Sequence, residues 1–293
     1  MSYPHDTNFL ILTFAVIGAG MSVFYLKMDH PVFKIFARWL LWFCVSIGFG
    51  TLFTKFEISD KSLFATALLC FLFWPLAETF YNWLAIDAMS RSGNSLFPNY
   101  RAGENVWPSD TVSIRIREFL RLAQYSNIAC AIGRIGNEDC VHCHVFEDEN
   151  RHNRIGVFFI FGPTGLLSPV FSISTILTDG RRIVTDNDYM PFGGFYPENM
   201  YVVRRPLARK LKKLLEIHNR RVTKTESAPL KWKGDPVADL NRQECELEEL
   251  NTSLGFLVEP SQRDELGKIS REGRYRIWKE IWMLNYLGRP FSY

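Results

Sequence analysis

Apolar residues crowd the first 90 positions in three long runs, and the pattern then changes to short alternating or amphipathic segments. Thr7 to Leu26 holds no charged residue, Ile35 to Phe53 is interrupted only by Arg38, and Leu63 to Ile86 only by Glu78. A helix rises about 1.5 Å per residue, so roughly 20 residues cross a hydrocarbon layer of about 30 Å. The three runs predict three transmembrane helices forming an anchor over 1–90. No Lys or Arg precedes Lys27, so the first run lacks the positive start of a cleaved signal peptide and is expected to remain.

Beyond a Ser, Gly, Asn and Pro-containing linker at 91–102, the pattern predicts an α+β domain. Ser109 or Asp110 reads as the N-cap of a helix whose face carries Val112, Ile116, Phe119, Leu120 and Ala123. Strands are expected over Asn127–Arg134, Cys140–Phe146, Ile155–Phe161, Pro169–Leu177 and Arg181–Thr185. The run Ile155–Phe161 is continuously apolar, as a strand covered on both faces requires. Asp179-Gly180 marks a two-residue hairpin turn. Short connections favour an antiparallel meander. A basic helix over Val203–Arg221 and an acidic helix over Pro236–Leu250 should follow. A last hairpin from Gly255–Glu259 and Arg274–Ile277, with an aromatic segment Trp278–Leu287, closes the chain. The expected architecture is three transmembrane helices followed by an antiparallel sheet flanked by helices. The sheet domain would span 103–225, with a C-terminal helical and hairpin subdomain, 226–293, packed on it.

Charge adds orientation. Lys27, Lys34 and Arg38 follow the first run, and a basic domain follows the third, while the N-terminal tail has no Lys or Arg. The positive-inside rule puts the N-terminus outside and the C-terminal domain in the cytosol, with Lys55 and Lys61 opposing. Aromatic residues at the ends of the second and third runs place Arg38 and Glu78 at similar interfacial depth, where they would pair. A structural pair is the main reading and a proton or ion path, as in a transport subunit, the alternative.

Residues 201–233 carry a net charge of +9 and residues 234–265 a net charge of −7. Arg204, Arg205, Arg209, Lys210, Lys212 and Lys213 are candidates for contact with anionic lipid headgroups, each contributing about 1 kcal/mol near such a surface. The competing reading is mutual neutralisation of the two blocks, with Glu244, Glu246, Glu248 and Glu249 masking the basic helix. Nucleic acid is disfavoured: a winged-helix arrangement over 239–277 would present that acidic helix to phosphates.

Candidate chemistry concentrates in Cys140-Val-His142-Cys143-His144. On a strand, Cys140, His142 and His144 share one face and could ligate zinc or copper. Alternate strand positions stand about 7 Å apart, which argues against one ion reaching all three. A cysteine nucleophile at Cys130 or Cys143, with a histidine base, is the enzymatic alternative. The six cysteines, two of them in apolar runs, suggest no disulfide framework. No phosphate-binding loop, HExxH or GxSxG is present, and no cofactor is expected.

Thr178-Asp179-Gly180 with Arg181–Asn187, the spacing Leu214…His218, and Gly273-Arg-Tyr-Arg-Ile-Trp-Lys279 together resemble a group of uncharacterised bacterial membrane-anchored proteins. The resemblance covers roughly the second half of the chain. It implies N-terminal helices in a bacterial inner membrane, a cytosolic α+β domain, and no activity or catalytic residue. The expectation is a membrane-anchored binding or scaffolding module that recruits a protein partner.

Overall fold

The computed structural model describes residues 9, 13, 14, 16–18, 20, 31–56, 62–92, 96–135, 138–162, 165–166 and 169–291. The run Thr7–Leu26 lies largely outside them, as does the side chain of Cys140. Among the described residues two helices, not three, are long and apolar enough to cross a membrane. These are α1 (Pro31–Lys55) and α2 (Leu63–Arg91). The chain divides into two compact units. One contains residues up to Met89 and also Ile277–Gly288; the other contains Ser90–Arg276. The segment 277–288 therefore groups with the apolar helices rather than with the rest of 226–293.

In the first unit α1 and α2 approach closely at a small residue. A Cβ on Gly50 would lie 2.9 Å from the Ala67 backbone, so only glycine fits there. The Trp42 ring stacks on Phe71 with centroids 4.3 Å apart, and its Nε1 donates to the Phe71 carbonyl at 2.9 Å.

The second unit is α+β. Its mixed sheet runs in the order β1-β2-β3-β4-β6-β7-β8, with the two-residue β5 (Gly165–Leu166) paired to β4. The strands are β1 (Asn99–Ala102), β2 (Tyr125–Ile135), β3 (Glu138–Asp148), β4 (Arg154–Gly162), β6 (Val170–Ile176), β7 (Arg182–Asp186) and β8 (Met200–Arg204). The expected strands are present and mostly longer. The linker contributes β1, an edge strand whose exposed backbone is covered by Asn241: its Oδ1 accepts from Tyr100 N and its Nδ2 donates to Tyr100 O, both at 2.7 Å. The Asp179-Gly180 site carries a turn at the predicted place, with Gly180 at φ +83°, but the Gly180 amide donates to the Leu177 carbonyl and the Leu177 amide to that of Arg181, so the loop is the three residues 178–180 rather than the expected two.

Two expectations fail for physical reasons. The meander ends at β7, because β8 pairs with it in parallel after the loop 187–199. Residues 200–204 are thus a strand, and the predicted helix Val203–Arg221 shortens to α4 (Leu211–Val222). Tyr201-Val202-Val203 prefer a pleated surface, and Pro206 bars helix from the residue before it. The last hairpin reduces to a single bridge, Leu257 to Ile269. Arg274–Ile277 instead lie in α7 (Arg271–Leu287), where the Ser270 hydroxyl accepts the Gly273 amide at 3.0 Å and caps the helix.

Helix α3 (Thr111–Leu122) starts as predicted, with Asp110 Oδ1 accepting the amides of Val112 and Ser113. Residues α3 and α4 present, including Ile116, Leu120, Leu211 and Leu214, join Phe146, Ile155, Val157, Phe159, Phe171 and Ile173 in one core. Helix α5 (Pro236–Ser253) packs through Val237 and Leu240 on Tyr100, Ala131, Cys143 and Val145, which alternate to the opposite face. The basic helix α4 and the acidic helix α5 therefore lie on opposite faces of the sheet.

Candidate functional site

The Arg38–Glu78 pair expected from sequence is formed, with Arg38 Nη1 2.6 Å from Glu78 Oε1. Two more donors complete it: Trp74 Nε1 reaches Glu78 Oε2 at 3.2 Å, and the Tyr286 hydroxyl donates to the same oxygen. Trp39 Nε1 also donates to the Tyr286 carbonyl at 3.3 Å, and Trp282 stacks on the Tyr286 ring. Glu78 thus accepts from three side chains, those of Arg38, Trp74 and Tyr286. Tyr286 was missed in the sequence because nothing local ties position 286 to 78; Trp74 stands one helical turn before Glu78, a spacing that could have found it.

The Cys/His strand is β3. His144 is buried, and its partner is Cys130, directly opposite on β2. Cys130 Sγ lies 3.3 Å from His144 Nδ1, Asn127 Nδ2 lies 3.3 Å from the same nitrogen, and His144 Nε2 lies 3.1 Å from the Val106 carbonyl. A carbonyl only accepts, so Nε2 carries the hydrogen and Nδ1 is an acceptor, approached by both the Asn127 Nδ2–H and the Cys130 thiol; the thiol also has Asn127 Oδ1 as an acceptor at 3.7 Å. Trp107 packs edge-on against the imidazole at 4.8 Å. Burial pushes the Cys130 thiol up, partly offset by Asn127, and pulls His144 down, helped by His142 and Arg117 and opposed by Val106. Both groups are neutral near pH 7. Among the described residues no three His, Cys, Asp or Glu side chains converge on a metal position. His144 has both nitrogens engaged within the protein, which leaves the expected Cys140, His142 and His144 face without that ligand. Counting outward from the Ile135–Glu138 pair would set Cys130 opposite Cys143; a register shift between Gly133 and Arg134 brings His144 there instead, so this contact was not legible in the sequence.

The six basic candidates separate. Arg204 turns inward, with Nε 3.8 Å from Asp186 Oδ1 and Nη2 donating to the carbonyls of Asp188 and Met190. Arg205, Lys210, Lys212 and Lys213 are exposed, and Arg209 is half-buried. The acidic helix does not cover them. Its Glu248 pairs with Arg263 at 2.6 Å, and Glu246 approaches Arg242 at 3.9 Å. Glu244 lines a groove of about 560 Å³ with Arg101, Arg134 and Cys245, and burial pushes its carboxyl up to about 7. Helix α5 therefore carries less negative charge at neutral pH than its sequence states.

Two buried polar clusters hold the sheet together. On the α5 side, Arg154 bridges Glu147 (2.7 Å) and Asp239 (3.2 Å), and Arg182 reaches Asp239 at 2.8 Å. Both guanidiniums sit over the Trp232 ring, at 4.0 and 4.9 Å. On the α4 side, His218 links neighbouring strands, with Nε2 2.9 Å from Thr175 Oγ1 and Nδ1 3.0 Å from Thr185 Oγ1. Thr175 spends its hydrogen on Asn153 and Thr185 accepts from Arg221, so the neutral imidazole is satisfied on both sides. Burial, then Arg221, pulls His218 down to about 3. Nearby, burial pushes Asp186 up to about 7, with Asp188 adding and Arg204 and Arg221 opposing.

Comparison with protein-family models, with curated proteins and with solved structures returns no match to this chain.

Proposed function

We propose that the chain is an integral membrane protein whose apolar helices anchor the sheet unit as a binding or scaffolding module at the cytosolic face of a bilayer. The supporting observation is the outer surface of α1 and α2. Phe36, Phe64, Phe73 and Leu76 are each more than 60% exposed, although they belong to the most apolar helices of the chain. Leaving such a side chain in water forfeits roughly 1.5–3 kcal/mol each, and hydrocarbon removes that cost. The internal Arg38–Glu78 pair reduces the cost of carrying charge at membrane depth. Lys27, Lys34 and Arg38 favour the orientation with the sheet unit inside, in the manner of a bacterial inner-membrane protein. The full chain should remain with membranes through alkaline carbonate and high-salt washes and be released by detergent. Release by carbonate alone would remove the anchor from the proposal.

The exposed Arg205, Lys210, Lys212 and Lys213 add a second contact, with anionic lipid headgroups. Nothing acidic on α5 masks them, because the two helices occupy opposite sheet faces. In nanodiscs holding the full chain, acetylation of Lys210, Lys212 and Lys213 should be several-fold slower with anionic than with neutral lipid. Added salt should remove the difference, because exposed charges are screened over about 8 Å at physiological ionic strength. Equal rates in the two lipids would exclude the headgroup contact.

A further inference from the structure

We propose that Cys130 and His144 form a thiol–imidazole pair that reacts with hydroperoxides, making β2–β3 an oxidant-sensing site. Three geometric conditions for base-assisted thiol chemistry are met together. The nucleophile is within reach of the base, at 3.3 Å from Cys130 Sγ to His144 Nδ1. The base is held in one tautomer by a third group, because Nε2–H donates to the Val106 carbonyl at 3.1 Å. The ring cannot swing away, since it is buried edge-on between Trp107 and Phe159.

Exposure selects the reagent. His144 is buried, while Cys130 keeps part of its surface open. A small electrophile reaches the sulfur without any binding groove, and hydroperoxides are the small electrophiles that thiols meet in cells. In the reaction the Cys130 sulfur attacks one peroxide oxygen. The S–O bond forms as the O–O bond breaks; sulfur loses two electrons and the peroxide gains them. The thiol proton passes to His144 Nδ1 and from there to the departing hydroxide, leaving Cys–SOH and water. Cys143 occupies the opposite face of the sheet and is buried, so the product does not close a disulfide with it.

The pair differs from a thiol activated by ionisation. Cys130 is protonated at neutral pH, and its reactivity depends on the internal base instead. Such a thiol reacts at a rate nearly independent of pH wherever the imidazole is neutral. The groups bearing on it are Arg117 from α3, His142 from β3, and Cys143 behind the sheet. The exposed Cys245 is an internal reference in the same molecule.

The test treats the full chain in detergent micelles with iodoacetamide between pH 6 and 7.5, and measures each cysteine by mass spectrometry. Alkylation that needs a free thiolate rises about tenfold per pH unit below the thiol's pKa. Cys130 should change less than twofold over the range. His144→Gln should slow Cys130 at least tenfold at pH 6.5 and restore the rising profile, with folding checked by protection of buried Cys143. Hydrogen peroxide with dimedone should then trap sulfenic acid at Cys130 in the native chain at pH 6.5, ahead of Cys245. A Cys130 rate that rises tenfold per pH unit in the native chain would overturn the base-assisted pair. So would an unchanged flat profile in folded His144→Gln. Dimedone labelling at Cys245 but not at Cys130 would overturn the hydroperoxide assignment.

Discussion

Asp239→Ala should destabilise the sheet unit by about 3–5 kcal/mol, the cost expected when one partner leaves a buried charge cluster. Asp239 sits between Arg154 and Arg182, and none of Glu147, Arg154, Arg182 and Asp239 has a side chain more than 10% exposed. Without it, Arg154 keeps Glu147, while Arg182, stacked on the same indole ring, loses the carboxylate it reaches. The same change cuts the tie between α5 and the strands β4 and β7, since Asp239 is the helix residue that both arginines grip. Arg242 also touches Asp239, at 2.5 Å, but its side chain is 65% exposed, so Arg242→Ala should cost less than about 1 kcal/mol. Adding Arg182→Met to Asp239→Ala should recover part of the loss, because the orphaned charge is removed with its partner. Urea unfolding of the full chain in detergent, read by a short thiol-reagent pulse that reaches buried Cys143 only in opened molecules, measures all three. Equal effects of Asp239→Ala and Arg242→Ala would show that the cluster is not what holds α5 down.

The second large effect is a pair of opposed pH dependences. His218 drops from an unfolded value of 6.5 to about 3, so the unfolded chain binds a proton that the folded chain refuses. Its contribution is fully present above about 6.5 and is lost as pH falls toward 3, at about 1.4 kcal/mol per pH unit. Asp186 moves the other way, from 3.8 up to about 7, so the folded chain holds the extra proton. Its contribution is largest below 3.8 and declines as pH rises toward 7, at a similar slope. Between roughly pH 4 and 6.5 the two slopes cancel. Asp186→Asn should therefore gain stability relative to the native chain as pH rises from 4 to 7. His218→Gln should gain relative to it as pH falls from 6.5 to 4. Each relative change should amount to about 2–4 kcal/mol across its window, whatever fixed packing cost the substitution carries. The Cys143 pulse, applied at one fixed pH after equilibration at each test pH, isolates these differences. Parallel curves for variant and native chain would mean that the group titrates alike in both states.

Much of the fold was readable in short stretches of chain. The strand segments show because β-branched and aromatic residues with a period of two report one strand at a time. Asp110 announced α3 because an N-cap acts over three residues, and Asp179-Gly180 announced its turn because a positive φ is a single-residue demand. Ser270 carried the same kind of signal for α7 but was overlooked, since the aromatic run after it drew a strand assignment. Arg38 and Glu78 could be paired in advance because each is the lone charge in an apolar run, and hydrocarbon gives such charges few alternatives.

What needed the tertiary structure is everything set by partners far apart in sequence. The parallel pairing of β8, and the opposite placement of α4 and α5, depend on which sheet face each helix meets after a long connection. Charge content along the chain could not separate masking from exposure, because proximity in sequence does not imply a shared face. Glu78 gained Tyr286 across 208 positions, and His218 gained Thr175 and Thr185 from two neighbouring strands. The apolar runs, the strands and the caps are thus properties of the local sequence, where period and backbone demand act within a few residues. Register, facing and the partners of buried polar groups were decided only by the fold, because a one-residue slip in a strand turns every side chain to the other face.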